Sequence, residues 1–246
     1  GAVGRIPYLV PVKWENGWPV LGENGKVPET LNLPANKGWI PGIVASDDFS
    51  RKSGDKDLHL VWQWNHNPQN DYWSVKNREG YLRLTTDRVD TSFLNTRNTL
   101  TQRAIGPKSY AVTKVDLSGM KKGDYAGLGL LQKNFGFVGA KMLNNGKHII
   151  MVNGASEEPV EVESIPLNQE ELYLKAVGDF QDRKDTAEFY YSLDGENWEV
   201  IGNELKMSYT LPHFMGYRFA LFNYATKEAG GHLDFDFFKI EAQKNN

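Results

Sequence analysis

There is no cysteine anywhere in the 246 residues. That excludes disulfide bonds and thiolate metal sites, and it leaves the redox compartment unmarked. No apolar run approaches the roughly 20 residues that a membrane-crossing helix requires. Neither sign of charge dominates: 28 Lys and Arg stand against 31 Asp and Glu, a formal net charge of −3. Without a basic stripe, the sequence argues against nucleic acid as a partner. Helical periodicity is nearly absent, with Asn168–Leu174 the one weak candidate. No internal repeat of roughly 40–50 residues is visible, which argues against a complete propeller. No secretory signal is visible in the opening GAVGRIPYLVPV, and that alone assigns no compartment.

What the chain does have is a core's worth of apolar residues, 40% hydrophobic with 12% aromatic, and 24 glycines and 11 prolines to turn it. From Ile43 onward, short extended runs alternate with turn signals. Strands are expected near Val44–Phe49, Leu58–Trp64, Tyr110–Asp116, Tyr125–Leu131, Gly136–Leu143, Leu172–Val177, Tyr217–Asn223 and Leu233–Ile240, with others between. Asn144-Asn145-Gly146 and Asp194-Gly195 suit hairpin turns. This succession predicts an all-β sandwich or barrel. Before it, Arg5–Lys13 is a short Pro-interrupted apolar segment and Asn16-Gly17 predicts a hairpin between Trp14 and Trp18. Gly22–Gly42, rich in Gly, Pro and Asn, reads as a strap. The expected division is therefore 1–42 and 43–246.

The run LHLVWQWNHNPQNDYWSVKNREGYLRL, Leu58 to Leu84, reads as strand, polar turn, strand. Leu58, Leu60, Trp62 and Trp64 share one face of the alternation, which ranks the two tryptophans as core rather than as a sugar platform. Tyr72 and Trp73, after the Asn-His-Asn-Pro turn, are the better surface candidates. Gln102 and Arg103 carry suitable hydrogen-bonding groups, but as strand neighbours they point to opposite faces, so only one can face a groove.

Catalytic chemistry is harder to find. A glycosidase needs two carboxyls at a set separation. Glu161-Val162-Glu163 and Asp234-Phe235-Asp236 alternate but stop at two acids each, and a solvated strand face accounts for the glutamates. The five histidines are scattered, with no HxH or HExxH spacing, and there is no nucleophile elbow. For metal, Asp47-Asp48 opens the sandwich and Asp234-Phe235-Asp236 closes it. First and last strands of such folds often lie side by side, so Asp48 and Asp236 are candidate ligands of a structural Ca²⁺. Equally, these acids would cap turns or pair with Lys and Arg.

At these residues the chain resembles a known family. The Leu58–Leu84 run, then NTLTQRAIGP, LSGMKKGDYAGLGLLQKNFGFVGAK, YYSLDGENW and GYRFALFNYATKEAGGHLDFDFF are similar to the C-terminal concanavalin-like domain of family 43 glycoside hydrolases, the xylan-degrading β-xylosidases, arabinofuranosidases and xylanases. The resemblance runs from about Ile43 to Ile240. It implies a jelly-roll sandwich of two antiparallel sheets. It also implies that the opening GRIPYLVPVKWENGWPVLGENGKVP is the end of a preceding catalytic propeller with its exit linker. The family's Asp base, Glu acid and auxiliary Asp sit in that propeller, and none has a counterpart here. The resemblance thus implies a non-catalytic accessory domain packed on the propeller of the same polypeptide, meeting xylan or arabinoxylan outside the cytoplasm in the periplasm or beyond. The alternative is a xylan-binding module. In the β-xylosidase branch a loop of this domain reaches over the catalytic pocket. By order along the chain that loop is Thr86–Asn98, with Phe93 as its apolar tip.

Overall fold

From Lys108 to Asp116 burial alternates residue by residue, and the same alternation runs through Glu171–Asp179. Such strands bury one face and turn the other outward. The structure, a computed structural model, describes residues 1–7, 9–32, 42–211 and 213–243. Its residues fall into two compact units, Arg5–Gly42 on one hand and Gly1–Gly4 with Ile43–Asn246 on the other. The first four residues therefore belong with the sandwich. The expected segment Arg5–Lys13 includes residue 8, and the expected strap includes residues 33–41; those residues lie outside the described ones.

In the small unit, β1 (Val12–Glu15) and β2 (Trp18–Leu21) pair as a hairpin with Glu15 opposite Trp18. The turn is Asn16-Gly17, both at positive φ (49° and 81°), as a two-residue hairpin turn of this kind requires. Trp14 and Trp18 are 72% and 76% exposed.

The large unit is a sandwich. Its strands are β3 (Gln63–Trp64), β4 (Trp73–Ser74), β5 (Leu82–Thr85), β6 (Leu100–Arg103), β7 (Lys108–Asp116), β8 (Asp124–Leu131) and β9 (Phe135–Leu143). There follow β10 (Gly146–Gly154), β11 (Val160–Leu167), β12 (Glu171–Asp179), β13 (Thr186–Ser192), β14 (Glu199–Val200), β15 (Leu205–Lys206), β16 (Arg218–Ala225) and β17 (His232–Gln243). A seven-stranded sheet runs β11-β10-β9-β8-β16-β6-β3, and the facing sheet runs β14-β13-β12-β7-β17-β5-β4 with β15 paired to β13. Adjacent strands in both sheets are antiparallel. The fold is thus the expected concanavalin-like sandwich. Its core lies between the sheets and includes Leu84, Val115, Leu128, Leu174, Phe189, Phe219, Phe235 and Phe238, all at most 1% exposed. Each such side chain contributes about 1.5–3 kcal/mol by leaving water.

Two expected strands are not formed as such. Of Leu58–Trp64 only Gln63–Trp64 pairs; the amide of Trp62 donates to the His59 carbonyl, making a turn that leaves Leu60 87% exposed. Trp62 is nevertheless buried, because its indole donates to Asp47 at 2.8 Å and packs on Phe49 and Phe238. Val44–Phe49 makes a single backbone bridge to the last strand, at Asp47–Phe238, where amide and carbonyl bond both ways, and beside it the Ser46 hydroxyl accepts from the Ile240 amide at 3.0 Å. The first and last segments do lie side by side. The weak helix at Asn168–Leu174 is instead the bend after β11 and the first four residues of β12. At one edge, Trp64 of β3 and Trp73 of β4 meet at 5.1 Å and close the gap between the sheets.

Candidate functional site

The seven-stranded sheet has a second apolar cluster on the face turned away from the core. Alternate residues of β9, β10 and β16 build it: Phe135 and Phe137, Ile150 and Val152, Phe222 and Tyr224. A bare aromatic surface of this kind does not stay in water. The loop between β5 and β6 covers it by inserting Phe93, whose ring lies 4.6 Å from Phe222, 5.1 Å from Phe135 and 5.5 Å from Phe137. Gly129 of β8 makes the room, since a Cβ there would lie 3.0 Å from Cζ of Phe93.

The loop is tied down by polar contacts. Ser92 Oγ accepts from the amide of Leu94 and opens a short 3₁₀ turn, Phe93–Asn95. Arg88 donates to Asp90 at 3.0 Å and to the Asn95 carbonyl at 2.9 Å. From the polar turn, His66 Nε2 donates to the Leu94 carbonyl at 2.8 Å, and Asn98 and the Gln69 backbone bond each other both ways. Between turn and loop lies a groove of about 490 Å³, lined by His66, Asn67, Gln69, Arg88, Asn95 and Arg97 with Asp90 and Pro68. Burial pushes the Asp90 carboxyl up, against the pull of Arg88. Such a set offers guanidinium, carboxamide and imidazole groups to hydroxyls or carboxylates. On the same sheet face, Arg218 donates to Gln63 and sits near Arg103, and burial followed by that second guanidinium lowers its pKa.

The residues expected from sequence do not converge on one site. Arg103 is exposed on the outward face. Tyr72 ends a 3₁₀ turn at the opposite sheet's edge, half-buried. Trp73 beside it is half-buried against Trp64, with its indole donating to Asn70 at 3.1 Å. Gln102 is corrected: it is fully buried between the sheets, where its side-chain amide bonds the Ala45 amide and carbonyl at 2.9 and 2.8 Å. Phe93 is corrected as well, since a ring 1% exposed is a plug in its own domain and not an exposed tip.

The two candidate calcium ligands each have a partner within the protein. Asp48 Oδ1 caps its own turn by accepting from Ser50 at 3.0 Å, and Asp236 lies 3.5 Å from the Lys114 ammonium. Asp47 is held by Arg51 and Trp62, and Asp234 by both Arg78 and Arg83. At Asp47, Asp234 and Asp236, lysine and arginine thus supply positive charge beside the carboxylates. Among the described residues no group of three or more His, Cys, Asp or Glu is placed to hold a metal. On β11, Glu161 pairs with Lys141 and Glu163 accepts from the amide of Gly202.

Sequence reasoning missed the loop residues around the plug, His66, Arg88, Asn95 and Arg97. The signal available was the FGFV and LFNY spacing, which puts aromatics on the face of each strand opposite to the core residues and so demands a second cover.

Comparison with known proteins places the chain. A family model described as the β-xylosidase C-terminal concanavalin A-like domain matches residues 46–241. A β-xylosidase of Formosa agariphila is 30% identical over 97% of this chain and 43% of its own length. A putative β-xylosidase of Xylanibacter ruminicola is 32% identical over 84% of this chain and 37% of its own. The chain therefore spans less than half the length of these curated relatives. Among solved structures, a bifunctional GH43-CE protein of Bacteroides eggerthii is 62% identical with a TM-score of 0.94, over all of this chain and 32% of that one.

Proposed function

The chain belongs to the family of β-xylosidase C-terminal concanavalin A-like domains, and from that membership we propose that it is a non-catalytic accessory domain of a family 43 glycoside hydrolase acting on xylan or arabinoxylan. It packs on the catalytic propeller of the same polypeptide and shapes the approach of substrate. An enzyme that meets polymeric xylan works outside the cytoplasm, and the proposal includes that location.

The observation that carries this reading is the β1–β2 hairpin. An isolated two-stranded hairpin is marginal in water. This one also leaves Trp14 and Trp18 largely exposed. A hairpin of that kind fits as the closing piece of a larger sheet structure preceding the sandwich. The plugged loop supports the second half of the reading, because a rigid 86–98 segment presents Arg88, Asn95 and Arg97 at fixed positions along a groove.

The test is reconstitution. A catalytic propeller expressed without this chain is mixed with it, and a 1:1 complex with a raised Tm and restored xylosidase or arabinofuranosidase activity is expected. The chain alone should release no nitrophenol from aryl xylosides or arabinosides. Release that copurifies with the chain would overturn the proposal.

A further inference from the structure

An antiparallel sandwich ordinarily turns a polar face to water. The outward face of the β7–β12–β17 sheet departs from this. Tyr110 and Val112 of β7, Tyr173 and Val177 of β12 and Phe237 of β17 all stand there, half-buried, with lysines between them. Trp198, just before β14, overhangs the same strands. Together they line a groove of about 520 Å³. It lies on the opposite sheet from the one that Phe93 plugs.

The lysines are not equivalent. Lys239 pairs with Glu241 at 2.8 Å, and Lys108 lies 3.9 Å from Asp179. Lys175 is held differently. Its ammonium sits 4.5 Å from the centroid of Tyr190 and 4.3 Å from that of Trp198, and its contacts among the described residues are these rings rather than a carboxylate. Burial lowers its pKa, with no acid to offset the effect. A cation packed against two aromatic faces gains cation–π attraction, and the Lys175 ammonium has no hydrogen-bond acceptor among the described residues. An arriving carboxylate would supply one and would find the site already partly desolvated.

We infer that this groove binds an acidic saccharide, a pyranose chain carrying uronate groups. The rings of Trp198, Tyr173 and Phe237 take the apolar faces of the sugar rings, and Lys175 takes a carboxylate. The trough runs across three neighbouring strands, so it suits an extended chain. Charge complementarity selects the acidic ligand: lysine is a point charge that a neutral glycan would leave unmatched. The inference concerns a different face from the proposed propeller contact and does not depend on it.

Isothermal titration of the chain distinguishes the outcomes. The titrants are a glucuronate-substituted xylo-oligosaccharide, the same oligosaccharide without the acid, and an oligogalacturonate. Binding of the substituted form at least about tenfold tighter than the neutral form is expected, weakening as salt rises. Tight binding of the oligogalacturonate would assign backbone uronates, and its absence would assign a branch. Trp198→Ala and Lys175→Gln should each weaken binding by about tenfold or more, whereas Trp198→Phe retains most of it and Lys122→Gln, an exposed lysine outside the groove, changes nothing. Melting curves establish that each variant is folded. No heat with any acidic titrant at millimolar concentration, equal affinity for acidic and neutral forms, or unchanged affinity in the folded Trp198→Ala and Lys175→Gln variants would each overturn the inference.

Discussion

The ring of Phe93 meets that of Phe222 edge-on at 4.6 Å, and this contact fastens a surface loop to the outward face of a sheet. Truncating Phe93 to Ala leaves a hole among Phe135, Phe137 and Phe222 and exposes them. A loss of about 3–5 kcal/mol in denaturant unfolding is expected. Hydrogen exchange at the amides of Leu94, Asn95 and Thr96 should accelerate more than exchange in β7 or β12, since the change lies outside the inter-sheet core.

Gly129→Val probes the same contact from the sheet side. The Cβ alone would stand 3.0 Å from Cζ of Phe93. The branched side chain should push the ring out and destabilise the fold by about 1–3 kcal/mol. Combined with Phe93→Ala, it should cost less than the sum of the two, because the smaller side chain leaves the space that Val needs. Additive losses in a double-mutant cycle would refute the steric account.

Asp124 is wholly buried, with Oδ2 accepting from the Lys121 amide at 2.7 Å and Oδ1 unpartnered. Burial pushes its pKa up from 3.8 to about 6. Between those values the folded state holds a proton that the unfolded chain has released. This group's contribution to stability therefore falls as pH rises from about 4 to 6 and is flat beyond. Asp124→Asn keeps the acceptor without the charge. It should gain on the order of 2–3 kcal/mol relative to the parent at pH 7.5 and little at pH 4, read from unfolding curves at both values.

Asp47 shows the opposite sign. Burial pushes its carboxyl up, but hydrogen bonds from Arg51, Trp62 and the Phe49 amide outweigh this and hold the pKa below the ordinary value. Its contribution is present above the unfolded-state pKa and lost as pH falls through the folded one. Arg51→Met leaves a carboxylate that is 1% exposed without its partner, which should cost about 3–5 kcal/mol at pH 7. The penalty should shrink toward pH 4 as Asp47 protonates. A penalty independent of pH would point to lost packing rather than lost charge pairing.

Most of the sandwich was legible because each long strand carries its own alternation and ends at its own turn signal. Asn16-Gly17 formed the hairpin expected of it, and Asp194-Gly195 joins β13 to β14 with Gly195 at φ 83°. The misreadings share one cause, partners remote in sequence. Alternation in Leu58–Trp64 imitated a strand, but Trp62 is placed by Asp47 and Phe238. Val44–Phe49 looked like a strand whose neighbour would be another backbone, and at Ala45 that neighbour is the side chain of Gln102. No local pattern marks Gln102 as inward and satisfied, and none tells Phe93 that three phenylalanines from β9 and β16 await it. For Asp236, the deciding neighbour was Lys114 on an adjacent strand.

The sheet margins have a consequence for how the protein behaves in company. At one edge β3 and β4 are two residues long, with Trp64 against Trp73 sealing the gap behind them. At the other, β14 is two residues long, and β11, the one long margin, carries Glu161, Glu163 and Pro166. Strand-by-strand recruitment of a second copy finds either too few backbone groups to template on or a charged and proline-interrupted row. The sandwich is thereby suited to tandem fusion with other modules at high local concentration, without polymerising into continuous sheets.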